Sequence, residues 1–203
     1  GAYSHIFGKF INFIGLEKAV VFTDLDVGHK INGKGHILKT KYVDSDAMLT
    51  SNDALKEYFK NLKDGNDLKV NKLLSLTDNQ KVFTWNAVES QWKQDENGNM
   101  RVCFQMKENN YQARTFEDNF FAINKEFLQN NKSKIRGLNE GKLNDFLDTT
   151  KDVDAYELAE NGIESKATFA VEIIYNSEGN GKKEFCGWNI PQYIKDGLLW
   201  IRK

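Results

Sequence analysis

Residues 20–30, VVFTDLDVGHK, join an apolar run to two aspartates that are one residue apart. Val20, Val21 and Phe22 form a continuous β-branched and aromatic stretch, which is typical of a strand buried on both faces in a parallel sheet. The preceding segment has apolar residues at helical spacing and ends at Gly15, so it predicts a helix. This order of helix and strand predicts an α/β fold with a parallel sheet.

The later segments extend this layout. TSNDALKEYFKNL predicts a helix with Ser51 or Asn52 as its N-cap. KVFTWNAVESQW and MRVCFQMKE are strand-like, and the Asn-Gly step in the connecting KQDENGN predicts a β-hairpin. After these strands the pattern is mainly helical. We therefore predict an α/β core over 1–115, including the hairpin, followed by a helical section over 116–203 that completes the site.

Composition narrows the class of protein. A chain of 203 residues with 40% hydrophobic residues forms one domain, or a domain with a subdomain. Its net charge of −1 gives no global positive field for nucleic acid, although local patches still matter. Cys103 and Cys186 stand alone, which favours a reducing cytoplasm. No apolar run reaches the roughly 18 residues that span a bilayer, so no membrane partner is predicted.

The two aspartates are the first candidate site. In a strand, residues two apart point to the same face, so Asp24 and Asp26 can present both carboxylates at the carboxyl end of the strand, where open α/β sheets bind ligands. Two adjacent carboxylates repel each other unless a cation or a shared proton relieves them. Mg²⁺ typically takes one or two carboxylates and leaves room for phosphate oxygens. A turn in which Asp26 and Gly28 end the strand explains the same residues, and both interpretations remain open.

A basic segment follows, HKINGKGHILKTKY. It carries Lys30, Lys34, Lys39 and Lys41 without an acid among them, as a phosphodiester backbone would require. These lysines, together with Arg114, are the candidate DNA contacts. A solvated surface hairpin is the alternative for this segment.

Two later charged residues, Lys166 and Glu117, fall on the apolar side of their predicted helices, where a purely structural role does not explain them well. Lys166, in ESKATFAVEIIY, lies near the centre of that helix's apolar stripe, so it must snorkel, pair with an acid or face a cavity that holds an anion. In ARTFEDNFFAINKEFL, Thr115 can cap the helix, and Asp118 then complements the helix dipole. Glu117 falls within the arc of buried residues, which makes it a candidate ligand.

Taken in order, TDLDVGHK, TSNDALKEYF, ENNYQARTFEDNF, ESKATFAVEIIY and WNIPQYIKDGLLWIRK resemble the C-terminal nuclease region of the overcoming-lysogenization-defect family. Members of that family are ATP-dependent endonucleases with a Toprim catalytic domain, which has a Rossmann-like parallel sheet. The resemblance covers nearly the whole chain, and the combination is more specific than any one motif.

The resemblance implies a two-metal phosphodiesterase that acts on DNA. Asp24 and Asp26 match the family's Toprim aspartates, which hold Mg²⁺ or Mn²⁺, and Glu117 matches a further metal-coordinating acid. Lys166 matches a lysine that stabilises charge on the phosphate. The family's first Toprim strand with its glutamate, and its N-terminal ATPase domain, have no counterpart here, so a partial Toprim core and weak or no cleavage are expected. ATP would act through that ATPase domain.

Two other functions remain open. Haloacid-dehalogenase-like phosphatases also place Asp-x-Asp after an apolar strand, the first aspartate being the nucleophile. They usually continue with Gly-Thr, whereas Val27-Gly28 follows here. The chain could also be a non-catalytic scaffold that binds DNA or a partner, and an uncovered sheet edge would favour a homodimer.

Overall fold

The computed structural model of the chain describes residues 1–31, 35–177 and 187–202. Its strands are β1 (Ala19–Phe22), β2 (Val27–His29), β3 (Leu38–Lys39), β4 (Leu49–Thr50), β5 (Val82–Asn86), β6 (Gln91–Gln94) and β7 (Met100–Cys103). Its helices are α1 (Gly8–Phe13), α2 (Asp53–Tyr58), α3 (Val70–Leu74), α4 (Phe116–Ile123), α5 (Lys125–Asn131), α6 (Glu140–Leu147), α7 (Ala155–Asn161), α8 (Lys166–Tyr175) and α9 (Gln192–Arg202). By their contacts these elements form two units: Gly1–Met106 with Gln192–Lys203, and Lys107–Pro191.

The first unit is built around a four-stranded mixed sheet in the order β1-β7-β5-β6. β1 and β7 run parallel, with Phe22 opposite Cys103, whereas β5 is antiparallel to both β7 and β6. The predicted α/β class is therefore confirmed, but the described sheet has one parallel pair instead of a fully parallel core. The residues of β1 are each partly exposed and not buried on both faces, because among the described strands β1 lies at the edge of the sheet.

The hairpin of this sheet lies at a different place from the one that the sequence predicts. It is formed by β5 and β6, and its turn is at 87–90, where the Asn86 side chain accepts a hydrogen bond of 3.0 Å from the Glu89 amide. The Asn97-Gly98 step joins β6 to β7, which lie on opposite sides of β5. The prediction of direct pairing across that step was wrong, because β5 is the strand that pairs with both.

A second, three-stranded antiparallel sheet in the order β3-β2-β4 follows β1 in the chain. Val27 of β2 pairs with Thr50 of β4, which holds the segment between β1 and β2 near the start of α2. Helix α2 begins at Asn52, whose side-chain oxygen accepts a hydrogen bond of 3.2 Å from the Leu55 amide. Of the two N-caps that the sequence allows, Asn52 is the one observed.

Helix α9 packs against β1 and β7 within the first unit. A methyl group on Gly197 would lie 2.5 Å from Cε1 of Phe22 and 3.0 Å from Cγ1 of Val20, so the close approach requires a residue without a side chain. Tyr193, one turn earlier, packs edge-to-face on Phe22 with ring centroids 6.4 Å apart. These contacts place Tyr193 beside the carboxyl end of β1.

The second unit packs helices α4 to α8 around an aromatic cluster. The rings of Phe120 and Phe169 lie 5.9 Å apart, and neither residue is more than 4% exposed. Helix α4 begins with a capping box formed by Thr115 and Asp118, as predicted. The helical pattern after residue 116 is confirmed for the described residues, whereas the division into domains at residue 115 stays a prediction.

None of the helices within 1–31, 35–177 and 187–202 has the length and apolar character needed to cross a bilayer. The cytoplasmic location inferred from the cysteines stays a prediction.

Candidate active site

Asp24 and Asp26 lie just beyond β1, in the segment that leads to β2. β1 ends at Phe22, so the strand alternation that would place the two carboxylates on one face does not extend to them. Leu25, between them, is fully buried, and Asp26 adopts a left-handed backbone conformation with φ of 48°. Both aspartates are partly exposed. Both side chains therefore reach solvent, and hydrogen bonds from other residues orient them, because the two aspartates lie outside the strand.

Asn52 provides several of these hydrogen bonds. Its Nδ2 donates to the Asp24 carbonyl at 2.8 Å, to the Thr23 hydroxyl at 2.9 Å and to Asp26 Oδ2 at 3.2 Å. The residue is 2% exposed and also caps α2, so its side chain has one orientation that serves both purposes. The sequence predicted the cap but not the contact with Asp26, because nothing in the chain order brings residues 26 and 52 together.

Gln105 holds the other aspartate. It follows β7 as Asp24 follows β1, and the two strands are parallel neighbours. Its Oε1 accepts a hydrogen bond from the Leu25 amide at 2.9 Å, while Nε2 donates to Asp24 Oδ1 at 2.7 Å and to the Tyr193 hydroxyl at 3.2 Å. Gln105 is fully buried. Gln105 was not among the predicted site residues, although a polar side chain that directly follows the apolar run of a strand is a signal that could have indicated it.

Glu117 and Lys166 form an ion pair in the second unit. Lys166 Nζ lies 2.7 Å from Glu117 Oε1, and the side chains are 73% and 14% exposed, respectively. Glu117 lies in the first turn of α4, and Lys166 begins α8 after the N-cap Ser165. Of the outcomes that the sequence allows for Lys166, pairing with an acid is observed. The low exposure of Glu117 agrees with its predicted inward position.

An apolar cavity of about 400 Å³ adjoins this ion pair between α4 and α8. The ion pair lines it together with four aromatic residues, which are Phe116 and Phe120 of α4, Phe169 of α8, and Trp188, which lies between α8 and α9 in the chain. One side of the Glu117 carboxylate therefore faces apolar atoms, where the attraction of a cation is less screened than in bulk water.

Lys30 and Arg114, two of the candidate DNA contacts, are paired with acids. Lys30 Nζ donates to both carboxylate oxygens of Asp67, at 2.6 and 2.8 Å. The Arg114 guanidinium lies 3.2 Å from Glu160 Oε1, and its side chain is 8% exposed. A nucleic acid would have to compete with these acids for either cation.

Two of the other candidate DNA contacts lie at the surface. Lys39, in β3, and Lys41, which follows it, are both exposed. Lys34 lies outside the described residues. The contacts of all five basic residues with DNA stay predictions.

The acids differ in how well they fit a metal site. Within the described residues, no three or more His, Cys, Asp or Glu side chains are grouped so as to hold a metal ion. Asp24 and Asp26 supply two hard oxygen ligands, which is what Mg²⁺ commonly takes from a protein. Asn52 and Gln105 bind them through neutral amides, which orient a carboxylate without cancelling its charge. Metal binding by these two aspartates and by Glu117 stays a prediction.

The chain is similar to Endonuclease GajA of Bacillus cereus (strain HuB5-5), with 25% identity over 207 aligned positions. The alignment covers the whole of this chain and 26% of the relative, so the chain spans about a quarter of that protein's length. No family model matches the chain, and no solved structure matches it. The chain is thus distantly similar to an endonuclease over its entire length, including the segments that carry the aspartate pair and the Glu117–Lys166 pair.

Proposed function

We propose that the chain is part of a metal-dependent endonuclease of the Toprim type, related to the overcoming-lysogenization-defect family, and that its substrate is DNA. The observation that carries this proposal is the similarity to Endonuclease GajA along the whole chain. The position of Asp24 and Gln105 beyond two adjacent parallel strands supports it, because ligands of α/β sheets bind at that edge.

In this proposal Asp24, Asp26 and Glu117 hold Mg²⁺ or Mn²⁺ in a two-metal centre. When bound, such ions polarise the phosphate and lower the pKa of a coordinated water. Asn52 and Gln105 keep the two aspartates oriented through amide hydrogen bonds. Glu117 belongs to the second unit, and its participation in the same metal centre as Asp24 and Asp26 is proposed here.

Lys166 is proposed to stabilise charge that develops on the phosphate. Its side chain is largely exposed and begins a helix, so its ammonium group can reach an anion in solvent. A preorganised cation aimed at developing charge is among the larger contributions to catalysis. Glu117 holds that ammonium group in place by the 2.7 Å ion pair.

Further partners follow from the same resemblance. An ATPase domain would couple ATP hydrolysis to cleavage, and the relative has ample length for further domains because this chain covers 26% of it. Dimerisation through the edge of β1 stays a prediction.

The experiment is nicking of supercoiled plasmid in the presence of Mn²⁺. Since only weak cleavage is expected of the unsubstituted chain, relaxed circles should form slowly, and the rate should be about 100-fold lower in Asp26→Asn and Lys166→Ala. Lys93→Ala is the matched control, because Lys93 is also exposed and paired with an acid, at 2.6 Å from Glu89. It should cleave at the unsubstituted rate.

Three outcomes contradict the proposal. Cleavage that persists in Asp26→Asn indicates a contaminating nuclease. Absence of both cleavage and Mn²⁺ binding indicates a non-catalytic scaffold. Release of phosphate from a small phosphomonoester that requires Asp24 indicates a phosphatase.

A further inference from the structure

Gln105 joins three parts of the first unit at one buried point. It lies two residues beyond the end of β7, it accepts a hydrogen bond from the backbone between the two aspartates, and it donates to Asp24 and to Tyr193 of α9. We infer that Gln105 is a positioning residue that fixes the Asp24 carboxylate for cation binding. The inference rests on the proposed function for the role of that cation, and its test measures the binding of metal alone.

The orientation of the Gln105 amide follows from chemistry. The Leu25 amide can only donate, so it must face Oε1, at 2.9 Å. The Asp24 carboxylate can only accept when ionised, so it must face Nε2, at 2.7 Å. A flipped amide would lose both hydrogen bonds, and the Gln105 side chain is itself fully buried. Gln105 therefore presents a donor to Asp24 in one defined direction.

Tyr193 completes the arrangement. The second hydrogen of Gln105 Nε2 is directed to the Tyr193 hydroxyl, at 3.2 Å. The Tyr193 ring is 6% exposed and is held by its edge-to-face contact with Phe22 at the end of β1. Because both acceptors of Nε2 are anchored, the amide cannot rotate without breaking a buried hydrogen bond. Tyr193 thus supports Gln105, which in turn supports Asp24.

Substitution of a residue that orients a metal ligand lowers metal affinity by a typical factor. Removing a hydrogen-bond partner of a metal ligand typically lowers metal affinity about 10- to 100-fold, although the ligand itself remains. Gln105→Leu keeps a side chain of similar size but removes every hydrogen bond of the amide. The Asp24 carboxylate would then adopt several orientations, and Leu25 would lose its acceptor.

The test is a titration with Mn²⁺ alone, in which the paramagnetic resonance signal of free Mn²⁺ disappears on binding. We expect Gln105→Leu to raise the dissociation constant about 10-fold or more and Tyr193→Phe to raise it by a smaller factor. Tyr58→Phe is the matched control, because it also removes a buried hydroxyl of the first unit, one that is bonded to Ser4 at 3.3 Å. Its dissociation constant should not change. Circular dichroism checks that each variant is folded.

The outcomes separate this inference from the proposed function. A folded Gln105→Leu that binds Mn²⁺ like the unsubstituted chain overturns the positioning role, as does equal weakening in Tyr58→Phe. If Gln105→Leu does not fold, Tyr193→Phe decides, and an unchanged affinity there overturns the inference. An unsubstituted chain that binds no Mn²⁺, or binds it equally well after Asp24→Asn, refutes the cation site and with it the proposed function.

Discussion

Lys166 Nζ lies 2.7 Å from Glu117 Oε1, although the lysine side chain is 73% exposed and the glutamate side chain only 14%. Because one partner is in solvent, the pair contributes little to folding, and exposed ion pairs are typically worth below about 1 kcal/mol. We expect Lys166→Ala to lower the free energy of unfolding by less than about 1 kcal/mol in urea denaturation. Any large loss of cleavage in this variant would then reflect chemistry and not misfolding.

Lys93→Ala serves as the reference for that measurement, since it breaks the exposed pair with Glu89. The two variants should unfold at similar urea concentrations. A loss above about 2 kcal/mol for Lys166→Ala alone would show that the Glu117 carboxylate depends on its partner.

Asn52→Ala should be more damaging than the loss of an ordinary helix cap. Losing the cap costs about 1 kcal/mol. The buried Thr23 hydroxyl would also lose a donor, at about 1–3 kcal/mol, and so would the partly buried carbonyl of Asp24. Asn139→Ala is the matched control, because Asn139 caps α6 in an exposed position, accepting from the Lys142 amide. Equal losses in the two variants, measured by urea denaturation, would contradict the role of Asn52 in the aspartate segment.

Gly197→Ala should displace α9 from β1. Its new methyl group would lie 2.5 Å from Phe22, closer than carbon atoms approach, so we expect a loss of about 1–3 kcal/mol in stability. Gly141→Ala in α6 is the control, since its nearest contact is 3.3 Å and alanine favours helix by up to about 1 kcal/mol. Thermal unfolding should show a lower midpoint for the first variant and an equal or higher one for the second.

Cys103 should resist alkylation in the folded protein. Burial raises the pKa of its thiol to about 11, and nearby Arg101 and Lys81 only partly oppose this. At pH 8 its thiolate fraction is then roughly 100-fold below that of an ordinary cysteine, so reaction with iodoacetamide should slow by at least this factor. The measurement uses a Cys186→Ser background, and unfolding in urea should restore the ordinary rate.

The raised pKa of the Cys103 thiol also makes the free energy of unfolding depend on pH. Because the pKa is higher in the folded state than in the unfolded state, the protonated thiol stabilises the fold below the ordinary pKa. This contribution is lost as the pH rises from about 9 to about 11. Urea denaturation across that range should show a steeper decline than in Cys103→Ala; parallel curves would contradict the raised pKa.

The sequence allowed the local features to be predicted, because each depends on a few consecutive residues. The helix caps at Asn52 and Thr115 and the α/β order of the first segments are examples. The inward position of Glu117 was also predictable from helical spacing, and its pairing with Lys166 was among the outcomes that the sequence allowed.

Pairing between distant segments was not predictable from these patterns. The Asn97-Gly98 step is a good turn, but whether its flanking strands pair with each other depends on β5, which inserts between them. Likewise, Gln105 and Asp24 meet because β7 is placed beside β1, and no local pattern specifies that neighbour.

The packing of α9 against β1 affects the order in which the first unit can fold during synthesis. Val20 and Gly197 come into contact from nearly opposite ends of these 203 residues, and the whole second unit is translated between them. The Phe22 face of this sheet therefore gains its contacts with α9 only after the second unit has been synthesised. Delayed closure of this kind makes folding slow and creates an opportunity for chaperones to bind the incomplete sheet.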